Sequence, residues 1–241
     1  MRESITTNQF IISCIINGIN TIFYFYSYPI SFDYRQLVYL TIITLDLNCI
    51  YLFLSFICDF ALFVFNSDKL ENMNNFLRNK FCHIINPIQY TVTISFLVLL
   101  ITGGVKGGFQ DTLNTIFTIY AHIIITIFVI IDLFIADHKR HYFSRVIFRI
   151  IIVYAILYLI LECIATFGFD SPPYLFIENI KWWAFILYII LISIILVLSY
   201  LLHIFLFKIK YEYILKIKDT PQNYIEEVNK VIQMTDNIPE N

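Results

Sequence analysis

A threonine and a histidine are the residue types in this chain that could do chemistry together. Thr41 lies near the start of the apolar stretch Tyr39 to Asp59, and His122 is the histidine set deepest within an apolar run. A threonine hydroxyl is a weak nucleophile until a base takes its proton as it attacks. A neutral imidazole can be that base and can then return the proton to the leaving group. Attack on an ester would leave an acyl-threonine for water to hydrolyse. By residue type alone this is one option among several. A Thr in a membrane helix commonly bonds back to its own helix carbonyl. A buried membrane His marks either a site or a polar contact between helices.

Both residues sit in polar rows. On a helix, Thr41, Thr44, Asn48, Ser55 and Asp59 share one face, while Asp46 points about 140° away from Thr41. Thr115, Thr118, His122 and Thr126 repeat at helical spacing, with Asp132 turned off that face. Tyr154, Tyr158, Glu162 and Thr166 line a third segment. Polar groups are costly in hydrocarbon, so such rows face a bundle interior or a cavity. Measured from the outer boundary, Thr41 lies roughly 6 Å deep and His122 roughly 14 Å. Glu162 reaches a similar level, and the three can converge on one shallow cavity. Asp59 and Asp132 belong to the other half, as caps or anchors near the inner interface.

The elements that position these rows are membrane spans. Of the 241 residues 59% are hydrophobic and 14% charged, with a mean hydropathy of +0.75. A soluble domain carries about 25% charged residues. Six apolar runs are each near or above the ~20 residues that cross a bilayer. They are about Gln9 to Tyr28, Leu37 to Phe63, Ile84 to Thr102, Leu113 to Ile135, Val146 to Phe167 and Trp182 to Phe207. The first run is long and lacks a small-residue cleavage site, so it reads as a span rather than a cleaved leader. Pro29, the Gly103-Gly104 and Gly107-Gly108 pairs and Pro172-Pro173 fall in the connections.

Charge sets the expected orientation. Of the 16 Lys and Arg residues, only Arg35, Lys106 and Lys181 fall in the loops after spans one, three and five. The remainder lie at the N-terminus, after spans two and four, and in the C-terminal segment. This satisfies the positive-inside rule with both termini cytoplasmic. The expectation is an all-α, six-transmembrane-helix bundle over residues 1–218, followed by a polar cytosolic tail over 219–241. The net charge of −2 suggests no nucleic-acid partner. The five cysteines lie in or beside apolar runs without metal-site spacing, and read as small buried residues.

Tyr39-Leu40-Thr41, with the Asn48 and Asp59 spacing behind it, resembles the segment opening the second span in the family of the androgen-induced gene 1 protein and the androgen-dependent TFPI-regulating protein. His122 to Phe128, with Asp132 ten residues after the His, resembles that family's histidine segment. Thr166, Gly168 and Pro172 to Phe176 resemble a degraded form of its fifth-loop segment. The chain departs from the family in lacking an Asn-His pair ahead of His122 and tryptophans in the fifth loop. The resemblance implies a multi-pass threonine hydrolase that cleaves fatty acid esters of hydroxy fatty acids. It implies Thr41 as nucleophile and His122 as base, with Thr44 as a rival nucleophile, and no metal or organic cofactor. The expected partners are a lipid ester substrate and the bilayer of the endoplasmic reticulum or plasma membrane. Two other classes stay open: a small transporter or channel using Glu162, Asp59 and Asp132, and a scaffold whose polar rows only join helices.

Overall fold

The computed structural model describes residues 7–27, 40–65, 68–101, 112–136, 138, 143–164, 167 and 182–215. Among these, all regular structure is helical. The tail over 219–241, Thr166, Gly168 and Pro172 to Phe176 of the fifth-loop segment, and the loop charges Arg35, Lys106, Lys139, Arg140 and Lys181 lie outside the described residues.

The apolar runs become α1 (Thr7–Ser27), α2 (Leu40–Phe65), α4 (Cys82–Ile101), α6 (Ile125–Ile135), α7 (Arg145–Cys163) and α8 (Trp182–Lys208). Two shorter helices, α3 (Asp68–Phe76) and α5 (Thr112–Ile119), feed α4 and α6. The joints are π-helical turns at Leu77–Phe81 and Tyr120–Ile124, and a third π-helical segment, Ile209–Ile214, extends α8. These joints make longer continuous helices than the apolar runs alone suggest. Five are long and apolar enough to cross a membrane: Leu40–Phe65, Lys69–Ile101, Thr115–Ile135, Arg145–Cys163 and Trp182–Ile214. Helix α1 is a shorter apolar helix over its described side chains, Phe10–Phe25.

Helix α4 is the axis of the bundle and packs against α2, α6, α7 and α8. Its buried run from Ile85 to Val92 includes Asn86, Pro87 and Gln89. Pro87 lacks an N–H and so interrupts the helix hydrogen bonds, which neighbouring helices in a membrane bundle tolerate. Helix α7 starts with Ser144 as its N-cap, whose hydroxyl accepts from Ile147 N. The Tyr200 hydroxyl of α8 ties down this start, accepting from Ser144 N at 3.1 Å.

The distribution of side chains is inverted relative to a soluble protein. Val153, Leu157, Leu187, Leu198 and Phe205 are each more than half exposed, whereas Asn48, Gln89, Glu162, Ser199 and His203 are fully buried. Extended apolar surface around a polar interior is what lipid as solvent requires.

Candidate functional site

Two polar regions occupy opposite ends of the bundle. At one end, α2 presents Thr41, Thr44 and Asn48, all buried. Asn48 donates to Thr44 O at 2.8 Å and to Gln89 Oε1 of α4 at 3.2 Å. Gln89 in turn donates to Ala121 O at 3.3 Å and to Thr126 Oγ1 at 3.0 Å. The Thr126 hydroxyl lies 2.6 Å from that of Thr93, which donates to His122 O. Since Thr126 accepts from Gln89, it can donate onward to Thr93, and the proton directions are consistent along the chain. The polar row of α2 and the polar row of the fourth span are thus joined through a side chain of α4.

His122 lies in the π turn Tyr120–Ile124. Two carbonyls of this wider turn, those of Ala121 and His122, receive side-chain hydrogen bonds from α4. Single π turns often mark functional positions. The imidazole stacks on Phe96, with centroids 4.2 Å apart and planes within 10°. Its Nδ1 is buried and has no hydrogen-bond partner. The π turn packs against α2, but Thr41 and His122 do not hydrogen-bond each other. What links the two rows is the Gln89 chain, and it ends on the main chain of His122 rather than its ring.

Helix α7 adds Tyr154, Tyr158 and Glu162 on its inward face. Glu162 has no exposed surface, and its carboxyl pairs with the Tyr188 hydroxyl of α8. Asp46, on the other side of α2, accepts from Tyr24 of α1 at 3.1 Å and takes no part.

At the other end, Arg78 is the hub. Its guanidinium meets Asp59 of α2 through Nη2 and lies 3.2 Å from Asp132 of α6 through Nη1, while Nε donates to Asn74 at 3.0 Å. Asn74 donates to the second Asp59 oxygen at 3.1 Å. Tyr51 donates to Asp132 at 2.6 Å. The aspartates are therefore anchors, and Arg78 is the partner that holds both. His138 donates from Nδ1 to Ala136 O at 3.1 Å, and its Nε2 lies 3.4 Å from the Tyr51 hydroxyl oxygen and 3.7 Å from Asp132. Burial holds His138 well below the usual imidazole range, and the Arg78 and Lys210 charges push the same way. Lys210 donates to Leu133 O and Ala136 O, two carbonyls left open where α6 ends. Nearby, His83 of α4 and His203 of α8 share one hydrogen bond at 2.9 Å, packed around Phe207.

Arg78, Gln89, Tyr51, His138 and Lys210 are not among the residues that the sequence singles out. Gln89 carried a usable signal: Asn86, Gln89 and Thr93 repeat at helical spacing within the third span. Cys49, Cys58 and Cys82 are buried and free, as expected of small core residues. Among the described residues, no cluster of three His, Cys, Asp or Glu side chains could hold a metal ion.

No protein-family model, curated protein or solved structure matches this chain.

Proposed function

We propose that this protein is an integral membrane lipid-ester hydrolase, built of six spans with both termini cytoplasmic. Thr41 is its nucleophile and His122 its base. The reading rests on the resemblance carried by the Thr41 and His122 segments. The observation that supports it is the buried, unpartnered Nδ1 of His122, set in a π turn beside α2. A ring nitrogen with no structural hydrogen bond keeps its lone pair or proton for another group. Proton-transfer contacts often tighten only when substrate binds, so the absence of a Thr41–His122 bond does not decide the matter.

The reaction runs in two halves. Thr41 Oγ1 attacks the ester carbonyl carbon as its proton passes to His122. The intermediate collapses, the alcohol oxygen of the hydroxy fatty acid leaves with the proton from His122, and an acyl-Thr41 forms. Water, deprotonated by His122, then attacks that acyl group. The second fatty acid leaves and Thr41 regains its proton. Thr44, one turn further into α2, is the rival nucleophile.

The test compares Thr41→Ala, Thr44→Ala and His122→Ala in membranes. Fatty acid ester hydrolysis in Thr41→Ala and His122→Ala should fall by about a hundred-fold or more while the proteins accumulate normally. A fluorophosphonate probe should label the wild type but not Thr41→Ala. Full activity in Thr41→Ala sinks the assignment, and loss only in Thr44→Ala moves the nucleophile one turn.

A transporter or channel is the second reading, and Glu162 is the residue that favours it. Asp59 and Asp132, the other carboxyls such a pathway would use, are engaged by Arg78.

A further inference from the structure

Helix α7 opens with two exposed arginines one turn apart, Arg145 and Arg149. Ile151, Tyr158 and Glu162 define its buried face. Arg145, Arg149, Val153, Ile156 and Ile160 fall on the opposite face, within about 80° of one another. Val153, Ile156 and Ile160 are each about half exposed. Among the described residues, neither guanidinium has an ion-pair or hydrogen-bond partner. Helices α4 and α8, against which α7 packs, contain no Asp or Glu. On α7 itself the one carboxyl, Glu162, lies about 20 Å further along the axis from Arg149, on the buried face.

The two charges lie inside the apolar belt rather than at its edge. Helix α8 runs antiparallel to α7. Phe148 meets Tyr200 with ring centroids 5.6 Å apart, and Phe167, beyond the end of α7, meets Phe185 at 5.5 Å. The Tyr200 hydroxyl binds Ser144 N, so Tyr200 marks the level at which α7 starts. Phe205, more than half exposed, lies about 7.5 Å further along α8, and Arg149 about 7.5 Å the other way along α7. Apolar surface therefore reaches about 15 Å further out than the backbone of Arg149. Side chains on a helix lean toward its N-terminus, so both guanidiniums extend along this surface toward the head groups.

A cation at this depth is costly without a counter-charge. The described protein supplies none, so the counter-charge comes from the bilayer. Guanidinium forks match phosphate oxygens through paired N–H bonds. A zwitterionic lipid brings its own cation to compete. Two guanidinium charges balance a phosphomonoester, which carries about −1.5 to −2 at neutral pH. From Arg149 to Ile160 the same face offers about 16 Å of apolar surface for acyl chains. A second copy of this chain is the poorer occupant, because meeting through this face would bring four guanidiniums together with no carboxyl at their level.

We propose that the outward face of α7 is a binding site for an anionic phospholipid whose head group ends in a phosphomonoester, held between Arg145 and Arg149, with its acyl chains along Val153, Ile156 and Ile160. The site is independent of the hydrolase reading. In the six-span orientation it faces the cytoplasmic leaflet, where anionic lipids concentrate.

The test is lipid retention by the full-length protein in detergent micelles, with radiolabelled phosphatidic acid and phosphatidylcholine of identical acyl chains as probes. One arginine near the head groups is worth about five-fold in binding, so wild type should retain phosphatidic acid about twenty-five-fold better than phosphatidylcholine. Arg149→Gln should lower that preference to about five-fold, and Arg145→Gln with Arg149→Gln should bring it near unity. Should the double variant not fold, the two single variants carry the test. Lys80→Gln, which removes an exposed cation elsewhere, should leave the preference unchanged. An equal fall in Lys80→Gln, or a preference that persists in the folded arginine variants, overturns the proposal. Phosphatidylserine retained as strongly as phosphatidic acid overturns the phosphomonoester assignment. Glycerol 3-phosphate, the same head without chains, should not displace the lipid at equal concentration. Displacement there would assign the arginines to a free anion and remove the lipid site.

Discussion

The two ends of the bundle treat buried polarity in opposite ways. Around Arg78, both carboxyls, the guanidinium, an amide and a phenol close on one another across α2, α3, the π turn before α4, and α6. Around Thr41, Tyr154 meets Thr44 and Glu162 meets Tyr188 only as loose pairs, and a ring nitrogen of His122 is buried without a hydrogen bond. A closed network is committed to holding helices in place. An open one retains capacity to bind, at a cost in stability that the rest of the fold must cover. Gln89 gives the open end a fixed frame.

Replacing residues at each end sharpens this contrast. The largest stability effect is expected from Arg78→Ala, which leaves Asp59 and Asp132 facing each other in the interior. A loss of about 3–5 kcal/mol should deplete folded monomer in detergent gel filtration. Glu162→Gln, by comparison, should shift unfolding by less than about 1 kcal/mol, because the amide keeps an oxygen to accept from Tyr188. Equal losses in the two variants would erase the distinction between the ends.

Next in size is Gln89→Leu. It takes one of two acceptors from the Asn48 amide and removes a donor from Thr126 and Ala121 O, so a loss of about 1–3 kcal/mol is expected. If Gln89 is the frame of the open end, thermal unfolding should fall and any ester hydrolysis should fall with it. Unchanged stability would show that the α2–α4–α6 chain is incidental.

The smallest effect is a pH dependence. The folded pKa of His138 is depressed below its unfolded value of about 6.5, so the folded state resists the proton that the unfolded state takes up. Stability contributed by neutral His138 is present above that value and is lost as pH falls below it. Between pH 7.5 and 5.5 the wild type should lose about 1 kcal/mol more than His138→Gln, measured by thermal unfolding in detergent. Parallel losses in the two proteins would remove His138 from the closed network.

Much of the helical frame could be read from the apolar runs, since a membrane helix declares itself by length and composition. The inward row of α2 was equally readable, because periodicity fixes which side chains share a face. Arg78 was not. The apolar run of the third span starts near Ile84, so hydropathy leaves Arg78 among the loop charges. The helix in fact runs continuously from Lys69 and carries Arg78 into the interior. Gln89 was missed for another reason. Its partners come from α2 and α6, and the level at which helices meet is a property of packing that no single segment contains. The relation between Thr41 and His122 was only half readable: each faces inward on neighbouring elements, but the stack of His122 on Phe96 depends on α4.

Three π-helical segments, Leu77–Phe81, Tyr120–Ile124 and Ile209–Ile214, each carry one residue on which a polar region depends, respectively Arg78, His122 and Lys210. A π turn amounts to one residue inserted into an α-helix, and one residue is about 100° of rotation. Each insertion therefore acts as a phase shift between the helix before it and the helix after it. Removing a single residue from Tyr120–Ile124 would swing Thr126 and Asp132 about a quarter-turn relative to Thr115 and Thr118. That would pull one end's frame and the other end's anchor out of register together. The spacing between the two polar regions is written in the count of residues along the helix, and a one-residue gap is the change the bundle is least able to absorb.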